Sequence, residues 1–140
     1  MARWRKLGII AGVGALPRRV ADAARAEGAE PFIVRLSGVA DEDFSAFRGV
    51  DCGLAEAGKT IRSLKDAGCD AVALAGVVRR PDFSRLKPDW RGAALLPRVI
   101  SAAAKGDGAM LGVLVEELEA EGLLVIGAEE VFGGLAAPEG

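Results

Sequence analysis

The sequence predicts an α/β fold, a Rossmann-like open and mostly parallel sheet flanked by helices. Three observations carry this. Short apolar runs alternate with stretches of helical periodicity, the pattern of strands linked by crossover helices. Each clear strand runs into a glycine, at Gly12, Gly38, Gly76 and Gly127. Finally, 51% of the 140 residues are hydrophobic, which suits one core in a chain of single-domain length.

The elements follow in order. Leu7-Gly8-Ile9-Ile10-Ala11 reads as a buried first strand. Leu16, Val20, Ala23, Ala24 and Ala26 then share one side of a helix, with Arg18, Arg19, Asp22 and Arg25 on the other. Pro17 suits its first turn and Gly28 the position just past its end. Glu30 to Leu36 is the second strand. Residues 37–55 are less regular, with one short strand around Val50–Leu54. A helix from Glu56 to Ala67 turns Ile61 and Leu64 inward and stops at Gly68. Asp70 to Ala75 is a buried strand, and Gly76 to Gly92 an irregular segment. A helix from Ala94 to Lys105, with Pro97 near its start, precedes Gly106-Asp107-Gly108 and a further helix ending near Glu121. Leu123 to Gly127 is the last strand, and the tail Leu135–Gly140 reads as an interdomain joint.

Composition excludes several chemistries. With 18 basic and 20 acidic side chains the net charge is −2, which argues against a general nucleic-acid binder. There is no His and no Tyr, so imidazole metal sites, Ser-His-Asp or Cys-His catalysis and phenolic acids are excluded within this chain. Acid–base or metal chemistry here rests on carboxylates, lysines or the thiols of Cys52 and Cys69, which form no C-x-x-C pair and read as buried and reduced. The longest charge-free stretch, Leu7 to Pro17, is far shorter than the ~20 residues that span a bilayer, so a soluble, cytoplasmic chain is expected. All the basic residues precede position 107. The acids beyond it, including Glu116, Glu117, Glu119 and Glu121, read as a solvated helix face.

In an open parallel sheet, ligands bind at the carboxyl ends of the strands. Gly12-Val13-Gly14 lies there and feeds a helix start, whose amides favour an anion; the plainer alternative is that such turns simply favour glycine. A dinucleotide fingerprint is broken by Pro17 where a third glycine belongs. The second strand also ends Val34-Arg35-Leu36-Ser37 without the ribose-binding acid, although Arg35 would suit the 2′-phosphate of NADP. Gly53-Leu54-Ala55-Glu56-Ala57-Gly58-Lys59-Thr60 matches the P-loop pattern letter for letter, making a nucleotide hydrolase a rival reading. Glu56 inside the cradle and the poor strand before it argue against that, and place Lys59 and Thr60 on a helix start. The segment Gly76–Arg91 carries five basic groups against two acids, and its Arg79 and Arg80 have the fork geometry that phosphate oxygens accept. Asp107 reads as a helix N-cap, or as a polar contact facing a ligand. Trp4 and Trp90 are packing residues or interface anchors.

Four stretches occur in a suggestive order: Gly8–Pro17 (GIIAGVGALP), Gly76–Pro81 (GVVRRP), Gly106–Leu111 (GDGAML) and Glu121–Gly127 (EGLLVIG). Together they resemble the N-terminal domain of the UDP-2,3-diacylglucosamine pyrophosphatases, which release UMP and lipid X in lipid A assembly. The resemblance covers essentially the whole chain. It departs from the usual pattern at Gly108, where a second acid often follows Asp107, and at Val78-Arg79, where a Lys commonly precedes the Arg-Pro. What it implies is a Rossmann-like half that closes over a C-terminal catalytic domain, with that second domain supplying the catalytic carboxylate and most of the Mg2+ ligands. It further implies substrate contacts at Gly12, Val13, Gly14, Ala15, Gly76, Arg79, Arg80 and Asp107, and apolar positions between residues 77 and 96 for the acyl chains. Expected partners are UDP-2,3-diacylglucosamine and lipid X, with no nucleic acid. Because that substrate is a lipid, peripheral contact with the cytoplasmic face of the inner membrane is expected.

Overall fold

The computed structural model describes residues 4–37, 43–76, 78 and 81–131. Strands β1 (Lys6–Ala11), β2 (Glu30–Leu36), β3 (Arg48–Cys52), β4 (Ala71–Ala75) and β5 (Leu124–Gly127) form one sheet in the order β3-β2-β1-β4-β5. Every neighbouring pair is parallel. This is the doubly wound arrangement that the alternation of apolar runs and helical patterns predicts.

Strand alternation divides the core into two layers. Leu7, Ile9 and Ala11 of β1 face the same side as Ile33, Ala71, Ala73 and Ala75, and there they meet Val20, Ala21 and Ala24 of helix α1 (Leu16–Ala26). Small alanines on β4 and α1 let the helix lie close to the sheet. Between β2 and β3 no helix is seen among the described residues. Phe44 and Phe47 fill that part of the layer instead, with Arg25 stacked 4.0 Å above the Phe47 ring. Arg18 and Arg25 donate to the Asp43 and Ala46 carbonyls, which ties this connection to α1.

The opposite face carries Ile10, Val34 and Val72 beneath α2 (Ala57–Asp66), α3 (Trp90–Ala103) and α4 (Asp107–Ala120), which contribute Ile61, Leu64, Ala103, Met110 and Leu118. Each fully buried Val, Leu or Ile among them contributes about 1.5–3 kcal/mol. Arg91 of α3 bonds Glu117 and Glu121, and Lys65 of α2 also reaches Glu121, so one ionic cluster ties the three helices together.

Three details differ from the expectation. β3 spans 48–52, earlier than the strand expected around Val50–Leu54; as an edge strand it points charge outward, with Arg48 on Glu30 and Asp51 on Arg35. Helix α3 begins at Trp90, ahead of Ala94, because the Asp89 carboxylate accepts the Gly92 amide and caps it. Pro97 therefore lies inside α3 on its exposed side.

Candidate functional site

The sheet changes winding direction at β1. Its neighbours β2 and β4 connect to helices on opposite faces, so a crevice opens where β1 and β4 end. The Gly12 amide donates to the Ala75 carbonyl at 2.9 Å, extending the ladder one step past the strands. The Gly12-Val13-Gly14 turn then folds directly over Gly76. A Cβ on Gly76 would stand 2.9 Å from the Gly12 carbonyl carbon and from the Val13 oxygen, and its φ of +91° is one that side chains resist. Two of the candidate positions read from sequence are thus one structural unit. Val13 is 42% exposed and Leu16 38%, so the outer side of the turn meets solvent. Ala15 is the N-cap of α1, without a side-chain cap and with no acid in the first turn. The positive end of α1 is therefore uncompensated by any carboxylate of its own.

Asp107 is the first residue of α4; Gly106, with φ +133°, is the N-cap. The N-cap reading is thereby corrected: glycine takes the cap because the backbone there is left-handed, and Asp107 moves into the first turn, where its charge complements the helix dipole. It stands one turn before Met110, which lines the same cavity as Gly76. Arg79 and Arg80, with Gly38, lie outside the described residues.

Beside Gly76 the sheet end opens into a cavity of about 110 Å³. Ile10, Leu36 and Leu74 form its floor, Leu95 and Val99 of α3 one wall, and Met110 and Leu114 of α4 another. Phe83 and Leu86, around the short 3-10 turn Phe83–Arg85, also border it. An apolar space of this order accepts apolar guests. Leu86, Leu95 and Leu96 fall within the 77–96 stretch expected to serve acyl chains. The α4 wall was not expected, although the charge-free run Gly108–Val115 signals a helix with apolar residues on every side.

The P-loop lookalike is built differently. The Glu56 carboxylate folds back onto the Gly53 amide at 2.6 Å, and Asp89 accepts the Gly58 and Lys59 amides at 3.3 and 2.8 Å. The amides that would cradle phosphate already hold an anion of the protein itself. Burial works against the charged form of Asp89, but the amides of Gly92, Lys59 and Gly58, with Arg62 nearby, hold its pKa below the usual 3.8. Lys59 and Thr60 do sit on a helix start, and the nucleotide-hydrolase reading is overturned by the occupant of that start. Arg35, the residue suited to the 2′-phosphate of NADP, is paired with Asp51 at 2.7 Å. Asp89 is the residue that sequence reasoning missed; Pro88-Asp89 ahead of an apolar helix was its signal.

Cys52 and Cys69 are buried free thiols. Burial pushes Cys69 up to about 11 and also raises Cys52, so both stay protonated near neutrality. Among the described residues no three His, Cys, Asp or Glu side chains converge to hold a metal ion, so these residues do not make a Mg2+ site. Nor is any described helix long and apolar enough to cross a membrane.

Comparison with known proteins adds to this geometry. Residues 6–135 match the family model described as the LpxI N-terminal domain. The UDP-2,3-diacylglucosamine pyrophosphatase LpxI of Caulobacter vibrioides is 46% identical over 136 residues, covering 97% of this chain and 49% of that protein. The chain thus spans about half the length of this relative. Among solved structures, the Bordetella bronchiseptica enzyme WbmH in complex with NAD+ overlaps 59% of this chain and 29% of its own, with a TM-score of 0.45 and 17% identity.

Proposed function

The chain belongs to the family of LpxI N-terminal domains, and from that premise we propose that it is the substrate-enclosing half of a hydrolase that cleaves the diphosphate of UDP-2,3-diacylglucosamine to UMP and lipid X. One observation supports this reading above the others: the glycine turn at the end of β1 and an apolar cavity share Gly76 as a common wall. The substrate has the same two-part character, a diphosphate joined to an acylated sugar. The α1 start, with no acid in its first turn, suits the anionic part, and the Leu- and Val-lined cavity suits a length of acyl chain.

The residues assigned to the substrate are Gly12, Val13, Gly14, Ala15, Gly76, Arg79, Arg80 and Asp107. The backbone amides of the turn would orient the diphosphate, and the two guanidinium forks would bind its oxygens. No described cluster of carboxylates fits a metal, so Mg2+ and the carboxylate that activates water are assigned to the C-terminal half of the longer protein. We place the protein in the cytoplasm, working at the inner face of the inner membrane.

The deciding experiment measures UMP release from UDP-2,3-diacylglucosamine with magnesium present. The full-length protein should be active and this chain alone inactive. Arg79→Ala together with Arg80→Ala should raise KM by about tenfold or more, since each charge-assisted hydrogen bond contributes about 1.5–3 kcal/mol. Unchanged KM in the double variant would leave the domain as a docking module held by its neighbour, and no UMP release from the full-length protein would end the reading.

A further inference from the structure

Helix α3 is apolar on two opposite sides. Gly92, Leu95 and Val99 face the cavity, whereas Trp90, Ala93, Ala94, Pro97 and Ile100 are exposed. At 100° per residue those five fall within an arc of about 120°, and the other residues in that arc are Ser101 and Ala104. No charge interrupts it. Trp90 is 93% exposed and Ile100 45%, on a helix face that would ordinarily carry charged residues if water were its only neighbour.

Two lysines bracket this face, and the exposed acids nearest it are Asp107, just past its end, and Glu116, which is paired with Arg98. Lys87 precedes it and Lys105 ends it, both exposed and neither in an ion pair with a described carboxylate. Arg98 flanks it and is shared with Glu116 at 2.5 Å and Glu117 at 3.3 Å. Between residues 83 and 106 the single acid is Asp89, whose carboxylate is turned onto the amides of Gly92, Lys59 and Gly58. An aromatic and an aliphatic side chain, bracketed by two lysines, complement a surface that is apolar within and anionic at its rim.

We propose that this face of α3 docks on an anionic lipid bilayer, with Trp90 and Ile100 seated at the interface and Lys87 and Lys105 over the headgroups. Charge selects the occupant: a zwitterionic or cationic surface leaves the lysines unmatched, and Trp favours the boundary where its ring is apolar and its N–H stays wet. The face is continuous with the cavity through α3 itself, whose inner side forms a cavity wall. Its use in handing an acylated substrate from membrane to cavity rests on the function proposed above; the binding itself does not.

The test is co-sedimentation of the full-length protein with vesicles of phosphatidylcholine, alone or containing phosphatidylglycerol. Binding is expected only to the anionic vesicles and should weaken as salt is raised. Trp90→Ser with Ile100→Ser should weaken it by about tenfold or more, the scale for withdrawing a large aromatic anchor. Lys87→Glu with Lys105→Glu should abolish the preference for phosphatidylglycerol. Both variants should keep the wild-type melting temperature, because all four residues are exposed and none lines the cavity. Failure of the wild type to sediment, or equal sedimentation of Trp90→Ser/Ile100→Ser, overturns the proposal. So does a change in that variant from dimer to monomer without vesicle binding by the wild type, which would give the face to a second copy of the chain. Vesicle binding without UMP release would sink the substrate reading and leave this one standing; UMP release without vesicle binding would do the reverse.

Discussion

Helices α1 and α2 begin in similar ways, each following a strand and a glycine at the carboxyl edge of the same sheet, yet they present opposite faces to a ligand. The start of α2 carries the letters of a phosphate loop, and its Gly58 and Lys59 amides are taken by Asp89 while Glu56 folds back onto Gly53. The start of α1 carries no such motif, has no acid in its first turn and no side-chain cap, and lies against β4 at the winding switch of the sheet. A helix N-terminus draws negative charge through its exposed amides and the aligned peptide dipoles. Whether a ligand can use that attraction depends on what the fold has already put there. At α2 a side chain distant in sequence fills the place.

The difference can be broken from either side. The largest effect is expected at Gly76→Ala. The new methyl would press on the Gly12 backbone and the Val13 carbonyl, from a φ of +91° that costs further strain. A loss of about 3 kcal/mol or more in urea unfolding follows from close backbone overlap added to a left-handed non-glycine residue. A loss under about 0.5 kcal/mol, the surface-mutation range, would mean that the α1 start is not held against β4.

Asp89→Ala comes next, at about 2 kcal/mol, because it uncaps α3 and exposes the α2 amides together. Its pH dependence has a definite sign. The folded pKa of Asp89 lies below the unfolded one, so its contribution is complete above the unfolded value near 4 and lost as pH falls through the folded value. Wild type and variant should therefore converge in stability in acid; a gap that persisted undiminished below both values would show that the carboxylate's charge is not what caps these helices. In the variant, inorganic phosphate should recover part of the loss, and it should do so less in the wild type, whose α2 start is already filled.

Much of this was legible in advance for a physical reason. A buried parallel strand needs an unbroken apolar run, so β1, β2 and β4 stand out within a residue of their observed limits. The edge strand β3 buries little, and Arg48-Gly-Val-Asp51 gives no such run, so its limits slipped. The start of α3 lies earlier than the sequence predicts because Pro97 looks like a first-turn residue, whereas the capping oxygen of Asp89 sets the boundary. At the site, the meeting of Gly12–Gly14 with Gly76 follows from topology, since strands ending at one edge bring their loops together. The part played by Asp89 does not, because a contact spanning 30 residues between two helix starts leaves no local trace beyond a good cap. The α4 wall of the cavity was visible as a charge-free run, but periodicity assigns such a run to the core and does not say that the core there is incompletely filled.

The smallest effect, and the sharpest check on the comparison, belongs to Lys59→Ala. In a working phosphate loop this lysine reaches the phosphates of the nucleotide, and its loss would abolish binding. Here its backbone amide is the part in use, donated to Asp89 at 2.8 Å, and alanine keeps that amide. Alanine is also a good helix former at a first-turn position. The expected change in unfolding free energy is within about 0.5 kcal/mol, with no measurable change in ATP or GTP binding by equilibrium dialysis because the wild type should show none. Nucleotide binding by the wild type that disappears in Lys59→Ala would require Asp89 to yield its amides to a phosphate. The distinction between a helix start filled by a carboxylate and one with no acid in its first turn would then fail at the residue where it was drawn.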